Sequence, residues 1–331
     1  MDKPLIGVTM GDPAGIGPEV CAKALVSSEV TAVASCVVIG DRRALRHGLK
    51  VSGIDGVEIN SLKEVGEAKF QPGVINVLDL ANADPAGIKA GQVSKAAGQA
   101  AFEYIETAIR LAKSGEIDGI ATGPINKEAI QKAGHKFDGH TEILAAYTDT
   151  RDYAMMFVSD KLWVILVTTH MPLQAVSKSL TKQKILKTIK LAHETLAKLR
   201  GRKPRIGVAG LNPHAGENGL FGREEIRVIA PAAAEAKKLG IDATGPISPD
   251  AIFYLANAGM FDIVVAKYHD QGLIPLKLLS FNRSVNVTVG LPIIRTSVDH
   301  GTGFDIVGKG WANPQSLIEA IQVAAHFAKT Q

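Results

Sequence analysis

The chain has 331 residues, 46% hydrophobic and 21% charged, which is ordinary globular usage and excludes disorder and collagen-like structure. Its 37 basic and 33 acidic residues leave a net charge of +4, too mild and scattered for a nucleic-acid partner but suited to a small anionic substrate. No apolar run approaches the ~18 residues that cross a bilayer; Cys21 and Cys36 alone give neither a disulfide framework nor a thiolate zinc site; and the opening MDKPLIGVTMGDP lacks the features of a secretory signal, so a cytoplasmic protein is expected.

In chain order, LIGVTM reads as a first strand. It runs into a glycine-rich loop, Gly11-Asp12-Pro13-Ala14-Gly15-Ile16-Gly17-Pro18-Glu19, that opens a helix over 18–27 with proline at its start. The loop resembles a phosphate loop but is neither GxGxxG nor a P-loop. After the next strand, SCVVIG, Asp41 stands about where a ribose-binding acid belongs in a dinucleotide fold; a tight turn into a helix explains most of the pattern. VINVLDL, a long alanine-rich helix over 93–113 and IDGIATG follow. Then comes a polar turn, Asp138-Gly139-His140-Thr141-Glu142, at a helix start, where Asp138 or Thr141 is expected as a cap if it is not part of a pocket.

YAMMFV, KLWVILVTT, PRIGVAG, DIVVAKY and SVNVTVG read as further strands. Helices are expected over 179–200, 224–239 and 314–329. Several strands are apolar on both faces and alternate with helices, which means a largely parallel α/β architecture. No flexible linker divides the chain.

Three of these strands run into histidine. LWVILVTT leads to His170, RIGVAG to His214 within LNPHAG, and DIVVAKY to His269 within YHDQG. In open parallel sheets the C-terminal strand edge forms the ligand crevice. Three neutral imidazoles make a ligand set for a divalent cation and leave a coordination position open. Their separations, 44 and 55 residues, match no compact zinc signature, so the fold must assemble any shared site; the alternative is that each histidine merely caps its own loop. Lys277 and Arg295 form a second, cationic set able to hold a phosphate or carboxylate, against which stands the alternative of two surface cations. Asn286 lies inside an apolar strand, where its amide needs a partner. The loop from Asp299 to Gly310 carries Gly301, Thr302 and Asp305; its glycines let backbone N–H groups approach a ligand, and its acids suit ribose hydroxyls.

GDPAGIGPE, ATGPINK, DGHTE, TTHMPL, LNPHAGE, YHDQG and VNVTVGLPIIRTSVDHGT together resemble the 4-hydroxythreonine-4-phosphate dehydrogenase family of vitamin B6 biosynthesis, in order over nearly the whole chain. HGTGFDIVGKGWANP also looks like the adenosine-binding loop of isocitrate and isopropylmalate dehydrogenases. The resemblance implies a two-domain α/β/α fold with mostly parallel sheets, with a cofactor-side domain over 1–135 plus 285–331 and a metal, substrate and dimerisation domain over 136–284. It implies metal ligands His170, His214 and His269, substrate contacts His140, Thr141, Lys277, Asn286 and Arg295, and a cofactor, NAD or NADP, at Gly301, Thr302 and Asp305. One divalent ion (zinc, cobalt, magnesium or manganese) is implied at a site completed across a homodimer. Asp250 and Asp270 are candidate proton carriers or partners that orient the ligating rings. The implied reaction oxidises the 3-hydroxyl of a 4-phosphorylated hydroxy acid and then decarboxylates it to a phosphorylated ketone. Thr9-Met10-Gly11-Asp12, the stretch Asn218-Gly219-Leu220-Phe221-Gly222 and Arg151-Asp152-Tyr153-Ala154-Met155 depart from the biosynthetic members toward the 4-phospho-D-threonate 3-dehydrogenase branch. The rivals are a metal-dependent phosphohydrolase of a small phosphate ester, a two-lobed anion-binding protein, and a dinucleotide reductase built on Asp41.

Overall fold

Where an apolar β-branched run finds helices to cover both faces, it forms a strand. The computed structural model describes residues 3–84, 86–281 and 283–330. Its contacts divide it into two units: the described residues up to Arg151 with Leu291–Lys329, and Asp152–Gly290 with Thr330. The sequence expectation breaks the chain at 135/136 and 284/285 instead.

The first unit holds strands β1 (Leu5–Thr9), β2 (Ser35–Gly40), β3 (Glu58–Leu62), β4 (Val74–Asp79) and β5 (Gly119–Thr122), and, from the returning chain, β12 (Arg295–Ser297). They pair in the order β3-β4-β2-β1-β5-β12, all parallel. Helix Lys95–Ser114 starts at Ser94, whose Oγ accepts from Ala97 N at 3.1 Å, and stops at Gly115 in a left-handed turn. On that helix Gly98 allows a close approach, since a Cβ there would lie 2.0 Å from the Ala129 carbonyl oxygen.

The second unit holds β6 (Ala154–Val158), β7 (Trp163–Leu166), β8 (Ile206–Ala209), β9 (Ala243–Ile247), β10 (Ile263–Ala266) and β11 (Val285–Val289). They run in the order β11-β6-β7-β10-β8-β9. Strand β6 is antiparallel to both neighbours, and the remaining pairs are parallel. Val164, Leu166, Ala209, Val264 and Ala266 form its core with Ile252, Leu273 and Leu276 from the covering helices.

The nine strands expected from sequence all form. The three that were missed lack an apolar run: β3 is the polar EINSL, β9 is interrupted by glycine and proline, and β12 is the three residues Arg295-Thr296-Ser297. The expected helix over 224–239 is a π-helical stretch, Glu225–Ile229, continued by an α-helix, Ala230–Lys238. Helix Arg42–Val51 escaped notice because it is short and as rich in charged as in apolar residues, yet it buries Ala44, Leu45 and Leu49. Among the described residues no helix is long and apolar enough to cross a membrane.

Candidate active site

Because β7, β10 and β8 are parallel neighbours, their C-terminal ends open on one edge of the second unit, and the three histidines follow there. His170 is exposed, and His269 is the first residue of helix His269–Ser280. Their rings lie 5.6 Å apart, centroid to centroid, inclined at 42°. His214 is exposed on a turn of left-handed backbone, with φ of 52° at His214 and Ala215, 82° at Gly216, 42° at Glu217 and 54° at Asn218. Its ring packs 6.4 Å from that of Phe221. One chain thus brings His170 and His269 side by side. Among the described residues, no three histidine, cysteine or carboxylate groups converge on a point able to hold a cation.

Asp270 Oδ1 lies 2.8 Å from His269 Nδ1. An ionised carboxylate only accepts, so Nδ1 carries the proton and the Nε2 lone pair is left for a ligand. The imidazole chemistry therefore fits a borderline divalent cation, with the set incomplete in a single copy. Asp250, exposed in the first turn of helix Pro249–Asn257, accepts from Ser248 Oγ. That bond, with a smaller contribution from His214, holds its carboxyl below the usual range.

In the first unit, Arg295 on β12 is only 2% exposed, so the surface-cation alternative fails for it. Its Nη2 donates to Thr122 Oγ1 at 3.0 Å. Burial pulls its pKa to about 9 while the Glu142 carboxylate works to keep its charge. Beside it, burial and then the Arg295 charge hold His140 well below the ordinary imidazole value. His140 is therefore neutral, and its buried Nε2 has no hydrogen-bond partner. Thr141 is buried next to it at the start of helix His140–Tyr147. The expected cap by Asp138 or Thr141 does not form: the N-cap position falls on Gly139, which has no side-chain oxygen. In the second unit the half-buried Lys277 sets its ammonium 5.7 Å over the Phe281 ring. Asn286 lies on β11, and its buried Oδ1 lacks the protein partner that its position called for.

The glycine-rich loop is not a phosphate grip. Four of its amides are already taken: Asp12 N donates to Pro124 O (2.8 Å), Ala14 N to Asp12 Oδ1 (2.8 Å), Gly15 N to Asp12 O (3.0 Å) and Ile16 N to Thr302 O (2.9 Å). The loop instead braces the segment carrying Gly301, Thr302 and Asp305, and a Cβ on Gly15 would lie 2.6 Å from the Thr302 carbonyl oxygen. A cavity of about 340 Å³ adjoins both segments, lined by Pro13, Gly15, Ile88, Lys89, Val307 and Gly308, a volume at the small end for an organic ligand site. Gly301 and Asp305 are exposed. Asp41 is fully committed, accepting from Arg43 N (2.8 Å), Arg43 Nη2 (2.7 Å) and Ala83 N (2.8 Å), which removes the dinucleotide reductase built on it. Sequence reasoning missed Lys267, Glu225 and Gln271, all buried near the histidine loops; a lysine closing the apolar run IVVA was the one available signal for them.

A family described as "Pyridoxal phosphate biosynthetic protein PdxA" matches residues 32–324. The D-threonate 4-phosphate dehydrogenase of Pectobacterium atrosepticum is 48% identical over 98% of this chain and 99% of its own. A crystal structure of 4-hydroxythreonine-4-phosphate dehydrogenase from Klebsiella pneumoniae superposes with a TM-score of 0.92, at 48% identity, over 98% of this chain and 100% of that one. A β-decarboxylating dehydrogenase from Thermococcus kodakarensis shares the fold alone, with a TM-score of 0.50 and 16% identity over 97% of this chain and 81% of that one. This agrees with the expected mostly parallel α/β architecture of isocitrate dehydrogenase type. With its histidine-bearing strand edge, its buried arginine and this full-length likeness, the chain belongs to the PdxA family of pyridoxal phosphate biosynthetic proteins.

Proposed function

We propose that this protein is a nicotinamide-dependent dehydrogenase that oxidises the 3-hydroxyl of a 4-phosphorylated four-carbon hydroxy acid, D-threonate 4-phosphate foremost, and releases carbon dioxide from the product. The observation that carries this is the 48% identity, end to end, with a relative named D-threonate 4-phosphate dehydrogenase. The departures at Thr9–Asp12, 218–222 and 151–155 favour a hydroxyl rather than an amino group at the substrate's 2-position.

In this proposal the phosphate is held by residues of the first unit. The buried Arg295 donates a charge-assisted fork. Neutral His140 adds an N–H without a second charge to desolvate, and Thr141 contributes its hydroxyl. Lys277 and Asn286 are further substrate contacts in this proposal, and Gly301, Thr302 and Asp305 meet the cofactor, NAD or NADP. A divalent cation (zinc, cobalt, magnesium or manganese), held by His170, His214 and His269, would supply Lewis-acid stabilisation of the oxygen at C3. The incomplete set in one chain is why we take the working form to be a homodimer in which histidines of both copies complete the site. Asp270, bound to His269, orients that ring. Asp250, kept ionised by Ser248, receives the hydroxyl proton as the C3 hydrogen leaves with its electron pair for the nicotinamide. The resulting 3-keto acid loses carbon dioxide when the C1–C2 bonding pair moves toward the C3 carbonyl, and protonation at C2 gives the phosphorylated ketone. A cytoplasmic location belongs to the same proposal.

A panel of 4-phosphorylated threonine, threonate and erythronate stereoisomers with each nicotinamide cofactor tests it. Reduction of the cofactor with matching carbon dioxide release is expected. Release of phosphate without reduction would establish the phosphohydrolase instead.

A further inference from the structure

A buried polar network links the three histidine loops of the second unit, and the chemistry above makes no use of it. Two residues before His170, Thr168 Oγ1 donates to the Lys267 carbonyl at 2.8 Å. Two residues before His269, Lys267 N donates to Gln271 Oε1 at 2.6 Å. The other end of the same amide, Gln271 Nε2, donates to the Gly210 carbonyl at 2.8 Å, four residues before His214. Glu225 then takes up the continuing chain. Its Oε1 accepts from Leu211 N at 2.7 Å and Asn212 N at 2.8 Å, and its Oε2 accepts from Asn212 Nδ2 at 2.9 Å. Gln271 is 8% exposed and Glu225 3%, so water competes little for these bonds, and an unmet partner would be costly.

The segment beyond Asn212 needs such restraint. Four non-glycine residues in it, His214, Ala215, Glu217 and Asn218, hold positive φ, a conformation that costs about 1–2 kcal/mol per residue and persists only where the surroundings over-determine it. Glu225 supplies part of those surroundings directly, since a Cβ on Gly216 would lie 2.7 Å from its Oε2.

We propose that Gln271 and Glu225 are positioning residues, two buried clamps that set the distance and orientation of the His214 turn relative to the His170 and His269 loops. Neither acts on the substrate. A primary amide is suited to the Gln271 position because it accepts at one end and donates at the other. A carboxylate keeps the acceptor for Lys267 N–H but turns an oxygen toward the Gly210 carbonyl, and a leucine loses both bonds. The proposal rests on the three histidines serving a common cation, so its test separates the two claims.

The full-length protein and its Gln271→Leu and Gln271→Glu variants are compared by amide hydrogen exchange and by titration with cobalt(II) alone, followed by its visible spectrum. In Gln271→Leu, exchange at Lys267 should accelerate at least tenfold while the strand amides of Val264 and Val265 stay protected, which shows that the fold persists. In Gln271→Glu, Lys267 should remain protected. Both variants should bind cobalt roughly 10–100-fold more weakly than the parent, with an altered spectrum, as expected when support behind ligating groups is lost. Glu225→Gln, which keeps the shape but weakens the grip on Leu211 and Asn212, should accelerate exchange at those two amides. Unchanged exchange at Lys267 in the leucine variant, or parental cobalt affinity and spectrum in both Gln271 variants, overturns the clamp. A parent protein that takes up no cobalt refutes the cation site, and the exchange measurements then decide the clamp by themselves.

Discussion

Replacing Arg295 by methionine sets two effects against each other. The guanidinium is 2% exposed and donates to Thr122 Oγ1 at 3.0 Å. Burial drags its pKa down to about 9, well below an ordinary guanidinium. At about 1.4 kcal/mol per pH unit, carrying the charge costs the folded protein on the order of 5 kcal/mol. A methionine of similar reach removes that cost along with the guanidinium's hydrogen bonds, that to Thr122 among them, each worth about 1 kcal/mol, so the free variant should melt no lower than the parent and is expected to melt higher. Phosphate binding goes the other way. Truncating one partner of a buried charge-assisted pair costs about 2–5 kcal/mol, and a loss of about 3 kcal/mol raises KM for the phosphorylated substrate by roughly a hundredfold or more. Steady-state nicotinamide reduction and a thermal melt on the same preparation measure both. A KM within about threefold of the parent, together with a lowered Tm, would make Arg295 a structural residue and refute the phosphate assignment.

Asp270→Ala removes the acceptor that fixes the His269 tautomer, and divalent-cation affinity measured by calorimetry should fall roughly 10–100-fold. In the unaltered protein the same affinity should fall on acidification, because a protonated imidazole has no lone pair for a cation; a flat profile would contradict histidine ligation. Burial raises the Asp12 carboxyl to about 6, with the Ala14 N–H pulling the other way. The folded chain therefore holds that proton more tightly than the unfolded one, and the contribution of Asp12 to stability declines as pH rises from about 4 to 6. Asp12→Asn abolishes the decline, so denaturant unfolding should show the variant gaining about 3 kcal/mol on the parent between pH 4 and pH 7; a pH-independent difference would count against it. Gly15→Ala sets a Cβ 2.6 Å from the Thr302 carbonyl oxygen. The displacement, about 1–3 kcal/mol of overpacking, should raise KM for the nicotinamide cofactor while leaving the melt cooperative, and an unchanged cofactor KM would detach this loop from cofactor binding.

The strand ends were legible because they depend on local pattern. An apolar run that stops at a polar residue marks the sheet edge whatever surrounds it, and this pattern alone puts His170, His214 and His269 at equivalent points. Strands β3, β9 and β12 were not legible, because a polar, glycine-interrupted or three-residue strand exists only through its neighbours' hydrogen bonds. The glycine-rich loop over 11–19 shows the same limit: its sequence resembles a phosphate loop without matching one, and only the fold shows that Pro124, Asp12 and Thr302 take the N–H groups of Asp12, Ala14, Gly15 and Ile16.

The sequence by itself determined the alternation of strands and helices, the family, and the residue types available for chemistry, since all three are carried by neighbours along the chain. Tertiary structure decided which of those residues change their properties. Arg295 becomes a buried cation beside a neutral His140, Asp41 is spent on Arg43 and Ala83, and Gln271 spans two strand ends. Burial and hydrogen-bond partnership set the charge and reach of a side chain, and much of both comes from residues far along the chain, as Ala83 does for Asp41, Gly210 for Gln271 and Thr122 for Arg295.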